Sequence, residues 1–141
     1  MTELYADKDS SVFHNNIGTL HSIRLASKNH LVVMKTSKKI AIIDPVEACK
    51  NKKFLEFEKY PEVTIGGEAR CFLKWEDHII VIQMCKIVFV KNCQVDFTLD
   101  FSNYFEVLKE AILLETGIMI IASKKGLASL DLKQPDLRKK P

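Results

Sequence analysis

Three stretches of the chain repeat one pattern, and that repeat restricts the fold more than any single residue does. The first runs from Leu25 through Leu31-Val32-Val33-Met34 to Ile40-Ala41-Ile42-Ile43-Asp44. The second runs from Leu73 through Ile79-Ile80-Val81-Ile82 to Ile87-Val88-Phe89-Val90. The third runs from Ile112 through Ile118-Met119-Ile120-Ile121 to Leu127-Ala128-Ser129-Leu130-Asp131. Leu31 to Ile79 is 48 residues and Ile79 to Ile118 is 39. Strand-built periods of about 40 to 50 residues are those of propeller blades.

The apolar runs are rich in β-branched residues, which favours strand over helix. They are apolar at successive positions, so each strand is expected to be covered on both faces. Polar turns separate them in register: Lys28-Asn29, Glu76-Asp77 and Thr116-Gly117 form one column, and Thr36 to Lys39, Gln83 to Lys86 and Ser123 to Gly126 the next. The one tryptophan, Trp75, sits in a turn column. Between the units, Lys53 to Glu58 is a candidate outer strand. Gln94 to Phe101 alternates strictly, with Val95, Phe97, Leu99 and Phe101 on one side, as a half-buried edge strand does. Asp44-Pro45 closes the first unit, and Gly66-Gly67 marks a loop before the second. Tyr104 to Glu115 fits an amphipathic helix by its spacing of Phe105, Leu108 and Ile112, and fits a strand over Glu110 to Leu114 by alignment with the other units.

The expectation is an all-β chain: propeller-like blades of four antiparallel strands in an incomplete ring. Residues 1–16 are expected as a flexible leader, 17–133 as the domain with units at about 17–63, 68–101 and 105–132, and 134–141 as a basic disordered tail. A chain of 141 residues is at most one domain with a real core. Its 21 basic and 18 acidic residues are mixed, giving +3, which argues against a nucleic-acid arm. The apolar runs are too short to cross a bilayer, and Met1 to Ser10 reads as no secretory signal. Cys49, Cys71, Cys85 and Cys93 lie 22, 14 and 8 apart, too far for a C-x-x-C pair. Free thiols in a reducing cytoplasm are expected, with peripheral membrane association left open.

The third unit, Gly117 to Leu132, resembles a citron-homology (CNH) domain, a degenerate relative of WD-repeat propellers. It has an apolar strand, a small-residue step at Ala122-Ser123, a turn ending in Gly126-Leu127, and a strand ending in Asp131-Leu132. The first unit, ending Ala41-Ile42-Ile43-Asp44, is similar. The chain departs from standard WD repeats in lacking Trp-Asp and Gly-His pairs. The resemblance implies a part in assemblies that regulate membrane traffic or small GTPases. Three units are fewer than the four blades that closed propellers typically need. The ring is therefore expected to be completed by further chain, a second copy or another subunit.

Chemistry-bearing patterns are sparse. His14, His21, His30 and His78 have no second ligand at metal spacing, and His30 and His78 read as repeated turn residues. Glu56/Glu58 and Glu76/Asp77 read as solvated charge. There is no nucleophile elbow and no phosphate loop. The reading is a non-enzymatic protein-interaction scaffold without metal or cofactor. Candidate contact residues are Lys50, Lys52, Lys53, Tyr60, Trp75, Lys124 and Lys125. The partners expected are other subunits, a second copy or a small GTPase. Two alternatives stand beside it. One is a pleckstrin-like or barrel adaptor that binds lipid headgroups or nucleic acid through the lysine clusters. The other is an enzyme, which a pocket holding His78, Glu76 and a shifted pKa would favour.

Overall fold

A computed structural model describes residues 3–6, 13–16, 22–34, 36–50, 60–103 and 107–137. The chain is almost wholly β and forms blade-like antiparallel sheets that do not close into a ring. The first sheet contains β3 (Ser22–Ser27), β4 (His30–Met34), β5 (Lys39–Ile43) and β6 (Val63–Thr64), in that spatial order. The second contains β7 (Ala69–Trp75), β8 (His78–Gln83), β9 (Lys86–Lys91) and β10 (Gln94–Asp100), again as a meander. The third contains β11 (Leu108–Leu113), β12 (Ile118–Ser123) and β13 (Gly126–Asp131). Within the expected leader, β1 (Glu3–Ala6) pairs antiparallel with β2 (Phe13–Asn16).

The sheets stack face on face because their middle strands are apolar on both sides. Ile79, Val81, Val88 and Val90 of the second sheet pack against Val32, Met34 and Ile40 of the first. The intervening residues Ile80, Ile82, Ile87 and Phe89 point the other way, against Ala111, Met119, Ile121 and Leu130 of the third sheet. Ile80, Ile82 and Ile87 are 0% exposed, and full burial of such a side chain stabilises by about 1.5–3 kcal/mol. The first strands also approach one another, β3 to β7 and β7 to β11.

The units are in register, with one correction. His30 and His78 each follow a two-residue turn and open the second strand of their sheets, in the pairs Ser27↔His30 and Trp75↔His78. In the third sheet the turn has three residues, Glu115 to Gly117, closed by Leu114 N–H donating to Ile118 O at 2.9 Å. Ile118 therefore corresponds to His78, and Met119 to Ile79. The alignment of Ile118 with Ile79 is off by one residue, and the true spacing is 40. Gly117 has φ +89, which accommodates the extra residue.

The corrected register is supported by two buried polar groups among the described residues, Gln83 and Ser123, which also lie 40 apart. Each ends a second strand and ties down a loop. Gln83 Nε2 donates to Ile65 O at 2.8 Å and Gly67 O at 3.0 Å. Ser123 Oγ donates to Gly126 O at 3.1 Å. The connections between sheets recur too. Ile65, just after β6, donates its N–H to Lys38 O, and Phe101, just after β10, donates to Cys85 O, both at 2.8 Å. Each departing chain is thus pinned to the turn between the second and third strands of its own sheet.

Several expectations change. The third sheet has three strands among the described residues, not four. The fourth strand of the first sheet is Val63–Thr64, while Lys53 to Glu58 lies outside the described residues. Pro45 opens α1 (Pro45–Lys50) rather than only closing the unit. Asp44 Oδ1 accepts the Val46 N–H at 3.0 Å as an N-cap, and Pro45 takes the first helical position, where it lacks no needed donor. Trp75 ends a strand rather than sitting in a turn. The stretch from Tyr104 to Glu115 holds a strand over 108–113, with 104–106 outside the described residues. A pleckstrin-like or closed-barrel reading, which requires a helix there, loses its basis. Residues 134–137, expected as disordered tail, form a turn that buries Leu137.

Candidate functional site

Two features stand out from the stack: a bare sheet face and a pocket. The outer face of the third sheet carries Ile112, Leu114, Ile120 and Leu127. Ile112 is paired with Ile120 across β11 and β12. Ile112 is 54% exposed and Leu127 80%. The outer face of the first sheet differs. There Val33 and Ile43 are buried, with Leu31 and Tyr60 packed on them, and exposure is confined to Ile23 and Leu25 on β3.

The pocket, about 200 Å³, lies where the second sheet meets the segment that follows β13. The second sheet contributes Trp75, Glu76, His78, Phe89 and Phe97, and the later segment Leu132, Gln134, Pro135 and Leu137. His78 Nε2 and Asp96 Oδ2 are 2.7 Å apart. The His78 ring meets Phe89 and Phe97 edge-on, at 5.9 Å from each, and those two rings stack at 4.2 Å. A β-bulge makes this possible. The register of β10 against β9 shifts between Val95 and Phe97, which places Asp96 at the irregularity. Consecutive residues Asp96 and Phe97 then both reach His78. The same bulge breaks the expected alternation: Val95 is exposed, while Leu99 and Phe101 are buried.

Local backbone strain accompanies the pocket. Glu76, in the turn between β7 and β8, has φ 50, an uncommon conformation for a residue other than glycine. Trp75 is held beside it by contact with the third sheet. A Cβ built on Gly117 would lie 2.9 Å from Trp75 Cζ2 and Cη2, so the indole rests directly on the glycine backbone.

Of the candidate contact residues only Trp75 lies in the pocket, where it is joined by His78 and Glu76, the pair named for the enzyme alternative. Lys50 ends α1 and is exposed, and Tyr60 packs on the first sheet. Lys124 and Lys125 form the exposed turn between β12 and β13. Lys52 and Lys53 lie outside the described residues. The lysines thus sit on different sheets rather than in one constellation. The site residues that sequence reasoning missed are Asp96, Phe89 and Phe97, together with a role for His78. The strict alternation of Gln94 to Phe101 gives no sign of the bulge at Asp96.

Among the described residues no group of three or more His, Cys, Asp or Glu side chains could hold a metal ion. No helix among them is long and apolar enough to cross a membrane. Comparison of the chain with models of protein families and with curated proteins finds no match.

Proposed function

We propose that the chain is a non-enzymatic protein-interaction scaffold that docks a partner on the open face of its third sheet. The observation that carries this reading is the row of exposed apolar residues Ile112, Leu114 and Leu127 on a sheet whose other face is fully engaged. The two sheet–sheet seams inside the chain bury surfaces of the same character, so an apolar sheet or helix from a partner is the fitting occupant. The resemblance of the third unit to citron-homology domains supports a place in complexes of membrane traffic or small-GTPase regulation.

His78 and Glu76 do share a pocket, as the enzyme alternative requires. However, the nine lining residues include no hydroxyl or thiol nucleophile, and His78 Nε2 is engaged by Asp96. That composition favours binding over nucleophilic catalysis.

The test compares the wild-type chain with the Ile112→Lys/Leu127→Lys variant as bait for interacting proteins, with light scattering on both. Partners or self-association held by the wild type and lost by an equally stable variant support the docking face. Identical retention by both refutes it.

A further inference from the structure

The pocket beside His78 has a composition that selects one class of ligand. We infer that it binds an organic ammonium group, either free, as in a choline-type molecule, or carried on an alkylated lysine side chain. This inference is independent of the docking face on the third sheet.

Trp75 and Phe97 present aromatic rings to the cavity, and the buried Phe89 backs Phe97 by stacking on it. Aromatic rings attract cations through their quadrupole, Trp most strongly. The carboxylate in the lining is Glu76, and Asp96 stands behind it only as the partner of His78. No lysine or arginine lines the cavity. This charge arrangement disfavours anions. The remaining wall is Leu132, Gln134, Pro135 and Leu137, three apolar side chains and one neutral amide, which suits methyl groups rather than a strongly hydrated metal ion. A volume of about 200 Å³ is several times the roughly 30 Å³ of a water molecule, room enough for a methylated ammonium.

The site is also held in shape before any ligand arrives. Trp75 is fixed against Gly117, Phe89 and Phe97 are stacked on each other, and His78 is anchored by Asp96. Binding then costs little side-chain ordering.

The chain has a single tryptophan, so fluorescence reports this pocket alone. The full chain is titrated with tetramethylammonium, choline and a trimethyl-lysine peptide, and with neohexyl alcohol, the uncharged isostere of choline. The expected result is a saturable change with the cations, about tenfold tighter than with the alcohol. Glu76→Gln is expected to weaken cation binding several-fold while leaving the affinity for the alcohol unchanged. Tighter binding of the peptide than of choline assigns the ligand to a protein side chain, and the reverse to a free molecule. Equal affinity for cation and alcohol, or no saturation with any cation, overturns the inference. Should Glu76→Gln fail to fold, the comparison of charged and uncharged ligands on the wild type decides alone.

Discussion

Replacing Gly117 by alanine tests the seam between the second and third sheets. The added Cβ would sit 2.9 Å from Trp75 Cζ2 and Cη2 and 3.1 Å from Lys133 Cε. Carbon atoms in contact prefer about 3.5–4.0 Å, so the indole must retreat by roughly half to one ångström. Overpacking of that kind costs about 1–3 kcal/mol. The backbone adds its own penalty, because φ is +89 and a left-handed conformation costs an L-residue about 1–2 kcal/mol. The sum is about 2–5 kcal/mol, a large part of the 5–15 kcal/mol typical of a domain. Gly66 supplies the control. It has φ +81, close to that of Gly117, and a Cβ there meets nothing within 4 Å, so Gly66→Ala reports backbone strain without the clash. Urea unfolding followed by Trp75 fluorescence measures both variants. Gly117→Ala should be the less stable by at least about 1 kcal/mol. Equal losses would refute the claim that Trp75 locks the two sheets by resting on this glycine.

Gln83→Leu keeps the side-chain volume but removes the donor to the carbonyls of Ile65 and Gly67. It should destabilise by about 1–3 kcal/mol in thermal unfolding, and a neutral result would mean that those carbonyls find other donors. Burial, aided by the nearby charge of Glu110, pushes the Cys71 thiol above its usual pKa. A raised folded pKa gives a contribution that is full below the unfolded thiol value and declines as pH rises above it, because the unfolded chain ionises first. The alkaline loss of stability should therefore be smaller in Cys71→Val than in the wild type. An unchanged pH profile would remove Cys71 from that account.

The sheets were legible because β-branched apolar runs between polar turns leave few alternatives to strands. The phase of the third sheet was not. Ile118-Met119-Ile120-Ile121 is apolar at every position, so nothing in it reveals which residues face the second sheet. That was decided by one extra residue in a turn. In an alternating strand the same shift would have been visible at once. The short helix α1 was legible in the Asp44-Pro45 pair, which can end a strand or begin a helix, and only the ending was read. The pocket was least accessible. His78 and Asp96 are 18 residues apart, and the bulge that joins them lies in a strand whose sequence alternates without a break.

The three-residue turn at Gly117 has a consequence for how such a chain can change. An insertion inside a strand must be taken up as a bulge or it inverts every face beyond it, whereas this one is absorbed where no ladder exists. Loop lengths can therefore drift freely while the stack keeps its polarity. Correspondence among the sheets then shows in which atoms touch even where a fixed count along the chain does not.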